Sequence, residues 1–369
     1  MNPEPCPVVS VIIVNYNAGD ELLDCVEALG PHSPRTEVII VDNASVEGSL
    51  GACAQRFPHV KVIYSNENLG FAGGANLGAA YATAGIFVFL NPDTVPAPNC
   101  INQLCEELIS RDGVAGPIIS EGEILKGYGF TLDRMAMPRG MNKLSPALYV
   151  SGCCLGTTRG CFEAVGGFDN RYFLFYEEAE YCWQALRRGY AVRVVPTAAL
   201  MHIGGTAASG GYLRNNRIET TSARILLGCR NSLTMLFACA PLTKVPLLVC
   251  ASLLRNGLFA VFLLINWRPR DAMRLIGGIW WCIVQLPATR QRRNRPRVAR
   301  ASEHDAWTRI SRRFFLWDLW RAGERALLVD MPLDPLPWHE ISTAPMEDTK
   351  NHSGRDKPPG PIVEGSVGQ

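Results

Sequence analysis

The chain has 369 residues, 47% of them apolar and 19% charged, and a formal net charge of +2. That is enough for two or three domains, and too apolar and charge-balanced for a chain disordered throughout. No dense cationic stripe crosses the first two hundred residues, which removes nucleic acid as the default partner. The thirteen cysteines are odd in number and scattered without CxxC spacing, which argues against a zinc cluster or a disulfide framework.

Met1 to Pro7 carries neither a basic region nor a long apolar core, so the folded N-terminal part is expected in the cytoplasm with its thiols reduced. Four short β-branched runs follow: Val8 to Val14, Glu37 to Val41, Val60 to Tyr64 and Ile86 to Leu90. They alternate with helical stretches at Asp20 to Leu29, Val46 to Phe57 and Ala72 to Ala84. This is the rhythm of a parallel α/β sheet with both faces covered, whose ligand loops lie at the carboxyl edge. From Asn91 to about His202 the alternation weakens, and a Gly- and Pro-punctuated stretch from Glu121 to Ser145 reads as substrate-shaping.

Beyond Gly204, Val245 to Asn266 is almost wholly apolar apart from Arg255 and Asn256, and Leu275 to Ala288 repeats the theme. The first run is barely long enough to span a hydrocarbon core and the second is shorter, so lying in the interface and crossing it both stay open. Arg290 to Arg297 follows as a basic run suited to anionic head groups, with a buried helical subdomain and a solvated basic linker as the alternative. The tail from 346 to 369 reads as disordered.

Five groups of residues could carry chemistry. Asn15, Tyr16 and Asn17 end the first strand and Asp42 and Asn43 the second; together they can pair with a pyrimidine edge and ribose hydroxyls, although each is also an ordinary turn former. Asn68 to Asn76 is Gly-rich and opens a helix, which suits either a phosphate cradle or close helix packing. Asn91-Pro92-Asp93-Thr94 follows an apolar strand, and Asp93 is the metal candidate there. Glu177, Glu178 and Glu180 follow an aromatic run that could desolvate one of them into a general base. At 100° per residue Glu177 and Glu180 share a helix face. His202 ends a strand-like stretch, Ala198 to Met201, before Gly204-Gly205.

In order, these blocks resemble the family 2 glycosyltransferases, which use nucleotide-diphosphate sugars on an α/β GT-A fold. The residues that carry the resemblance are VSVIIVNYN, EVIIVDNAS (37 to 45), NENLGFAGGANLG (66 to 78), FLNPDT (89 to 94), SGCCLG (151 to 156), GGFDNRYFLFYEEAEYCW (166 to 183) and HIGG (202 to 205). NPDT in place of a two-carboxylate DxD resembles the rhamnosyltransferase-type branch, which builds bacterial surface polysaccharides and cell-wall linkers.

The resemblance implies a catalytic domain over 1–206, with its nucleotide-binding half to about residue 95 and its acceptor half from about 96, while the apolar runs beyond it read as a helical, membrane-associating region over 207–330. It implies that Val14, Asn15, Tyr16, Asn17, Asp42, Asn43, Asn68, Gly70, Phe71, Asn76 and Asn91 hold the nucleotide sugar. Asp93 and His202 would hold a divalent cation, Mg2+ or Mn2+. Glu178 would be the base, where the family generally has aspartate, and Gly152, Glu177, Glu180 and Trp183 would order the site or meet the acceptor. The implied reaction is an inverting, metal-dependent transfer to a glycan or lipid-linked acceptor at the cytoplasmic face of the membrane. The glutamate at position 178 keeps open a catalytically silent homologue serving as a membrane-associated assembly partner.

Overall fold

The early apolar runs form parallel strands, β1 (Val9–Asn15), β2 (Thr36–Asp42), β3 (Lys61–Tyr64) and β4 (Ile86–Leu90). Their crossovers are α1 (Asp20–Ala28), α2 (Ser49–Arg56) and α3 (Gly70–Tyr81). The computed structural model describes residues 8–30, 35–121, 124–203, 212–214, 217–219, 222–265, 267–294, 303–311 and 327–329. Along β1, Val9, Val11 and Ile13 enter one apolar layer with α1, while Ile12 and Val14 enter the other with α3. Both faces are covered, which explains why the run is mostly apolar instead of alternating. α3 approaches β1 closely: a Cβ on Gly78 would lie 2.4 Å from Ile12 Cγ2.

The region of weaker alternation completes a mixed sheet. It contributes β5 (Thr94–Pro96), α4 (Cys100–Ser110), β6 (Gly113–Glu121), β7 (Ile124–Gly127), β8 (Phe130–Leu132), β9 (Pro138–Gly140), β10 (Cys154–Thr158), α5 (Arg159–Val165), α6 (Glu177–Arg187) and β11 (Ala191–His202). The strand order is β3-β2-β1-β4-β10-β6-β11-β5, with β7 on β6. β10 runs antiparallel between β4 and β6, and β5 antiparallel to β11. The chain order therefore reverses about β1 and β4, and ligand crevices form at the carboxyl ends of strands where it does. Part of the Glu121 to Ser145 stretch is a tied hairpin of β8 and β9, whose turn is held by buried Asp133 accepting from the Met135 and Met137 amides.

The chain continues through β12 (Tyr212–Arg214), β13 (Arg217–Glu219), α7 (Ser222–Cys239), α8 (Val245–Ile265), α9 (Pro269–Val284), α10 (Leu286–Arg293), α11 (Glu303–Thr308) and β14 (Leu327–Val329). Met1–Met331 forms one compact unit. Two expectations need correction. The second apolar run is not one helix, since α9 ends at Val284 and α10 opens after Gln285 with a proline in its first turn. Nor is the basic run wholly solvated. Arg292 and Arg293 are buried; Arg292 pairs with Glu180 at 2.8 Å and donates to the Val165, Gly166 and Gly167 carbonyls, while Arg293 donates to the Phe237 and Ala240 carbonyls. A guanidinium fork satisfies several carbonyls at once, which is why it serves as a buried tie here. Arg295, Arg297, Gly204, Gly205 and the tail from 346 lie outside the described residues.

Candidate active site

The tips of β1 and β2 are bound to each other. Asn15, wholly buried, donates to Asp42 Oδ1 and Ser45 Oγ, each at 3.1 Å, and its own Oδ1 is buried without a hydrogen-bond partner. Asp42 Oδ2 accepts from the Ser45 amide, and Asn17 Oδ1 accepts from the Val46 amide. Asn17 and Ala44 both hold left-handed backbone conformations, with φ of 51° and 63°. Such strain in non-glycine residues persists only where the surroundings enforce it. Val14 is buried and Tyr16 half-buried at the same edge.

The Gly-rich block is built mainly to pack. Asn43 donates to Asn68 Oδ1 and the Gly70 carbonyl and accepts from the Leu69 amide, and Asn68 Oδ1 also accepts from the Gly70 amide. The Ala72 amide donates to the Phe173 carbonyl. The helix-start donors of Leu69, Gly70 and Ala72 are therefore already engaged, against the expectation of a phosphate cradle. Gly70 has φ 68° and a Cβ there would lie 2.3 Å from the Phe173 carbonyl oxygen, so only glycine fits. Phe71 is buried edge-on to Phe168. Asn76, expected beside the pyrophosphate, instead clamps the later loop: it donates to the Phe168 carbonyl and Asn170 Oδ1 and accepts from the Phe168 amide.

Asp93 and His202 meet across the β5–β11 pairing. His202 Nε2 lies 3.1 Å from Asp93 Oδ2, and the Ile203 amide donates to the Asp93 carbonyl. Asp93 Oδ1 is buried and has no hydrogen-bond partner. An oxygen and an imidazole nitrogen suit a divalent cation that takes its other ligands from a substrate diphosphate and water. Among the described residues no cluster of three or more His, Cys, Asp or Glu offers a complete protein cage. Asn91 is half-buried, and its amide donates to the Cys153 carbonyl, which brings the Ser151–Cys153 turn against the end of β4.

Glu178 stands over that turn. A Cβ on Gly152 would lie 3.5 Å from its Cβ. Burial pushes the Glu178 carboxyl up to about 7, against a smaller opposing pull from backbone amides at the start of α6 and from Arg224. Its Oε2 has no hydrogen-bond partner. Glu177 is buried and its carboxyl is also held well above the usual range, by desolvation and then by the charge of Glu178. Burial therefore disfavours ionisation of both carboxyls, and Glu178, half-buried over the turn, is the one placed to ionise near neutrality. Burial raises the Cys153 thiol, which also feels the charges of both Asp93 and Glu178, so the two carboxylates flank one short turn.

Glu180 and Trp183 are placed elsewhere. Glu180 is wholly buried in the pair with Arg292, and Trp183 is 1% exposed in the core behind α6. Neither can meet an acceptor, because the helix turns both away from the cleft into packing; they order α6 from behind.

The sequence reading missed what fixes the loop before Glu178. Phe173, Phe175 and Tyr176 all have φ between 62° and 71°. Buried Asn231 on α7 donates its amide to the Tyr172, Leu174 and Phe175 carbonyls at 2.8 to 2.9 Å. Arg230 donates to the Arg171 and Tyr172 carbonyls, and the Tyr176 hydroxyl donates to the Ala136 carbonyl. The available signal was an Arg-Asn dipeptide within each of two helical stretches, most conspicuous in the apolar α8. Arg230-Asn231 in α7 and Arg255-Asn256 in α8 share one device, the arginine Nε donating to the next asparagine at 3.0 Å.

A family model described as Glycosyl transferase family 2 matches residues 10–165. The N-acetylglucosaminyl-diphospho-decaprenol L-rhamnosyltransferase of Mycobacterium tuberculosis is 27% identical over 232 residues, covering 53% of this chain and 76% of that protein. The low-salt glycan biosynthesis hexosyltransferase Agl10 of Haloferax volcanii is 26% identical over 199 residues, covering 48% of this chain and 62% of that protein. Among solved structures, GalNAc-T7 with UDP, GalNAc and Mn2+ superposes with a TM-score of 0.52 at 17% identity, covering 64% of this chain. This chain spans about half of that one, 48%. The likeness extends to the fold, a GT-A sheet with its ligand edge at the strand tips.

Proposed function

The chain is a family 2 glycosyltransferase, and from that premise we propose that it transfers a rhamnosyl-class sugar, with inversion, from a nucleotide diphosphate to a hydroxyl of a lipid-linked or glycan acceptor. The observation that carries this reading is Glu178, a carboxyl raised to about 7 with one unpartnered oxygen, facing the same turn as Asp93. A base poised near neutral pH is what proton removal from an alcohol requires. The proposed setting is bacterial cell-envelope glycan assembly, which the similarity to the mycobacterial rhamnosyltransferase supports, and the proposed location is the cytoplasmic face of the membrane.

In this reaction Asn15, Asp42 and the neighbouring tips of β1 and β2 bind the nucleoside, with the buried Asn15 Oδ1 and the Asp42 carboxylate as acceptors toward the base or ribose. Asp93 and His202 would hold the divalent ion, whose contribution when bound is to neutralise charge developing on the departing diphosphate. Glu178 takes the proton from the acceptor oxygen as that oxygen attacks the anomeric carbon from the face opposite the diphosphate. No covalent bond to the protein forms. Burial and the charge of Glu178 disfavour ionisation of Glu177 beside it, which limits negative charge in the cleft, and the Asn231 clamp keeps Glu178 from swinging out of line.

The test is thermal-shift and calorimetric screening of thymidine and uridine diphosphate sugars with Mg2+ or Mn2+, followed by transfer to a polyprenyl-diphosphate saccharide. Metal-dependent stabilisation by one donor class and formation of a glycosylated lipid are expected. Folded protein that binds none of these donors would refute the reading.

A further inference from the structure

α8 inverts the polarity of an ordinary surface helix. Its inward face carries Ser252, Arg255 and Asn256, all buried, while Leu247, Leu254, Leu258, Val261, Leu264 and Ile265 point outward and are 48% to 71% exposed. Arg255 is its one charged residue, so no charge interrupts the outward face. α9 behaves alike, with Met273, Ile276, Trp280 and Ile283 exposed and Asp271 buried, bonded to Arg268 and Arg274. Soluble monomers rarely leave two adjoining helices with such apolar faces in water, and patches of this kind mark protein or membrane contact sites.

We propose that the outward face of α8 and α9 is a bilayer-docking surface on which the enzyme lies with α8 in the plane of the membrane, not across it. The proposal rests on the reading of a membrane-side acceptor. The charges at the border favour an anionic lipid surface over a second copy or a protein partner. Lys244 is exposed just before α8, Arg270 is exposed after it, and Arg290 is exposed beyond α9, while neither helix exposes a carboxylate. Trp267, 92% exposed at the turn between the helices, and Trp280 are the amphipathic rings that settle at head-group level.

Orientation follows from the inward face. α8 has the length and apolarity to cross a membrane, but its middle is pinned to the catalytic body. Arg255 donates to the Met135 carbonyl at 2.5 Å and to Ser232 Oγ at 3.0 Å, and Ser252 donates to the same Met135 carbonyl. Met135 lies in the β8–β9 turn, whose Ala136 carbonyl accepts from Tyr176, two residues before Glu178. A spanning α8 would carry that turn and the loop before Glu178 to the centre of the hydrocarbon. Lying in plane, the helix keeps its polar face on the enzyme and gives only its apolar face to lipid. The same chain of contacts brings the cleft close to the head-group layer, where a lipid-linked acceptor exposes its sugar.

The experiment is flotation of the full chain with vesicles of phosphatidylcholine alone or mixed with phosphatidylglycerol, combined with depth measurement by spin label. Cys250, on the outward face, is the one exposed cysteine among the described residues and serves as a native labelling site. Flotation with the anionic vesicles is expected. Leu254→Glu with Leu258→Glu should lower the bound fraction roughly tenfold or more, with nucleotide-sugar turnover in solution unchanged, and Arg270→Glu should weaken only the phosphatidylglycerol dependence. Labels at 247, 250, 254 and 265 should report one shallow depth. Absence of flotation, a depth maximum at 254, or a dimer dissociated by the double substitution without any lipid binding would each overturn the proposal. Failure to float with donor turnover intact would leave the transferase reading standing, whereas flotation without donor binding or turnover would support docking and remove that reading.

Discussion

Replacing Glu178 by glutamine separates the proposed chemistry from every structural role of the side chain. Glutamine keeps the size and the acceptor oxygen but cannot take a proton, so donor affinity should stay within about twofold while kcat falls roughly 10²–10⁴-fold. In the wild-type enzyme the base must be ionised, and burial has moved its carboxyl from 4.5 to about 7. Activity should therefore rise with pH to a plateau above 7 and stand at about one hundredth of the plateau two pH units below it. The same shift has a signed effect on stability. A carboxyl raised in the folded state holds its proton more tightly there than in the unfolded chain, so its contribution is complete below 4.5 and is lost as pH rises through about 7. The glutamine variant, a permanent mimic of the protonated form, should thus be more stable than wild type at pH 8, by up to about 3 kcal/mol, and no different below pH 4.5. The assays are steady-state transfer with a radiolabelled donor across pH and urea unfolding at two pH values. A variant retaining kcat within tenfold, an acid limb near 4.5, or a glutamine variant less stable at pH 8 would refute the reasoning.

Four further outcomes follow from the same geometry. Glu177→Gln should retain kcat within about fivefold and leave the acid limb no higher than in wild type, because it replaces a carboxyl whose ionisation burial and the charge of Glu178 already disfavour; a pH–rate profile checks this. Asp93→Ala should abolish the Mg2+ or Mn2+ dependence of donor binding in calorimetry, while metal-free nucleotide binding persists. Asn231→Ala releases three carbonyls of the loop before Glu178, at a cost of about 1–3 kcal/mol; kcat should fall and the acid limb move while the donor Kd is unchanged, which loss of global stability alone would not produce. Arg292→Ala leaves Glu180 buried without its cation and should cost roughly 3–5 kcal/mol in urea unfolding, much of it restored by Arg292→Met with Glu180→Gln.

The strand tips were legible because continuous apolar runs ending in Asn15, Asp42 and Leu90 have few uses other than central parallel strands with loops at one edge. Ile86–Leu90 matched residue for residue. β10 was not legible as antiparallel, since its residues read equally well in either direction and only the partner on each side decides. The Asn68 to Asn76 block misled in part: glycines there serve close packing on β1 and Phe173, and Asn76 reaches a loop ninety-two residues on, a contact that local pattern does not encode. The basic run misled for a similar reason. Arg292 sits in a basic run in sequence, yet its partners come from Glu180 and the end of α5. The interruption of α8 by Arg255-Asn256 did carry information. In a helix otherwise apolar but for Ser252 on the same side, the polar pair marks the inward side, and only the packed hairpin shows what it holds.

The anomeric configuration of the transferred sugar, read by proton NMR on product formed from a donor of known configuration, tests the central claim most directly. Direct attack by a hydroxyl that Glu178 has deprotonated predicts a product of configuration opposite to the donor's. A product that keeps the donor configuration would contradict it, because it would require two displacements or attack from the face the diphosphate leaves.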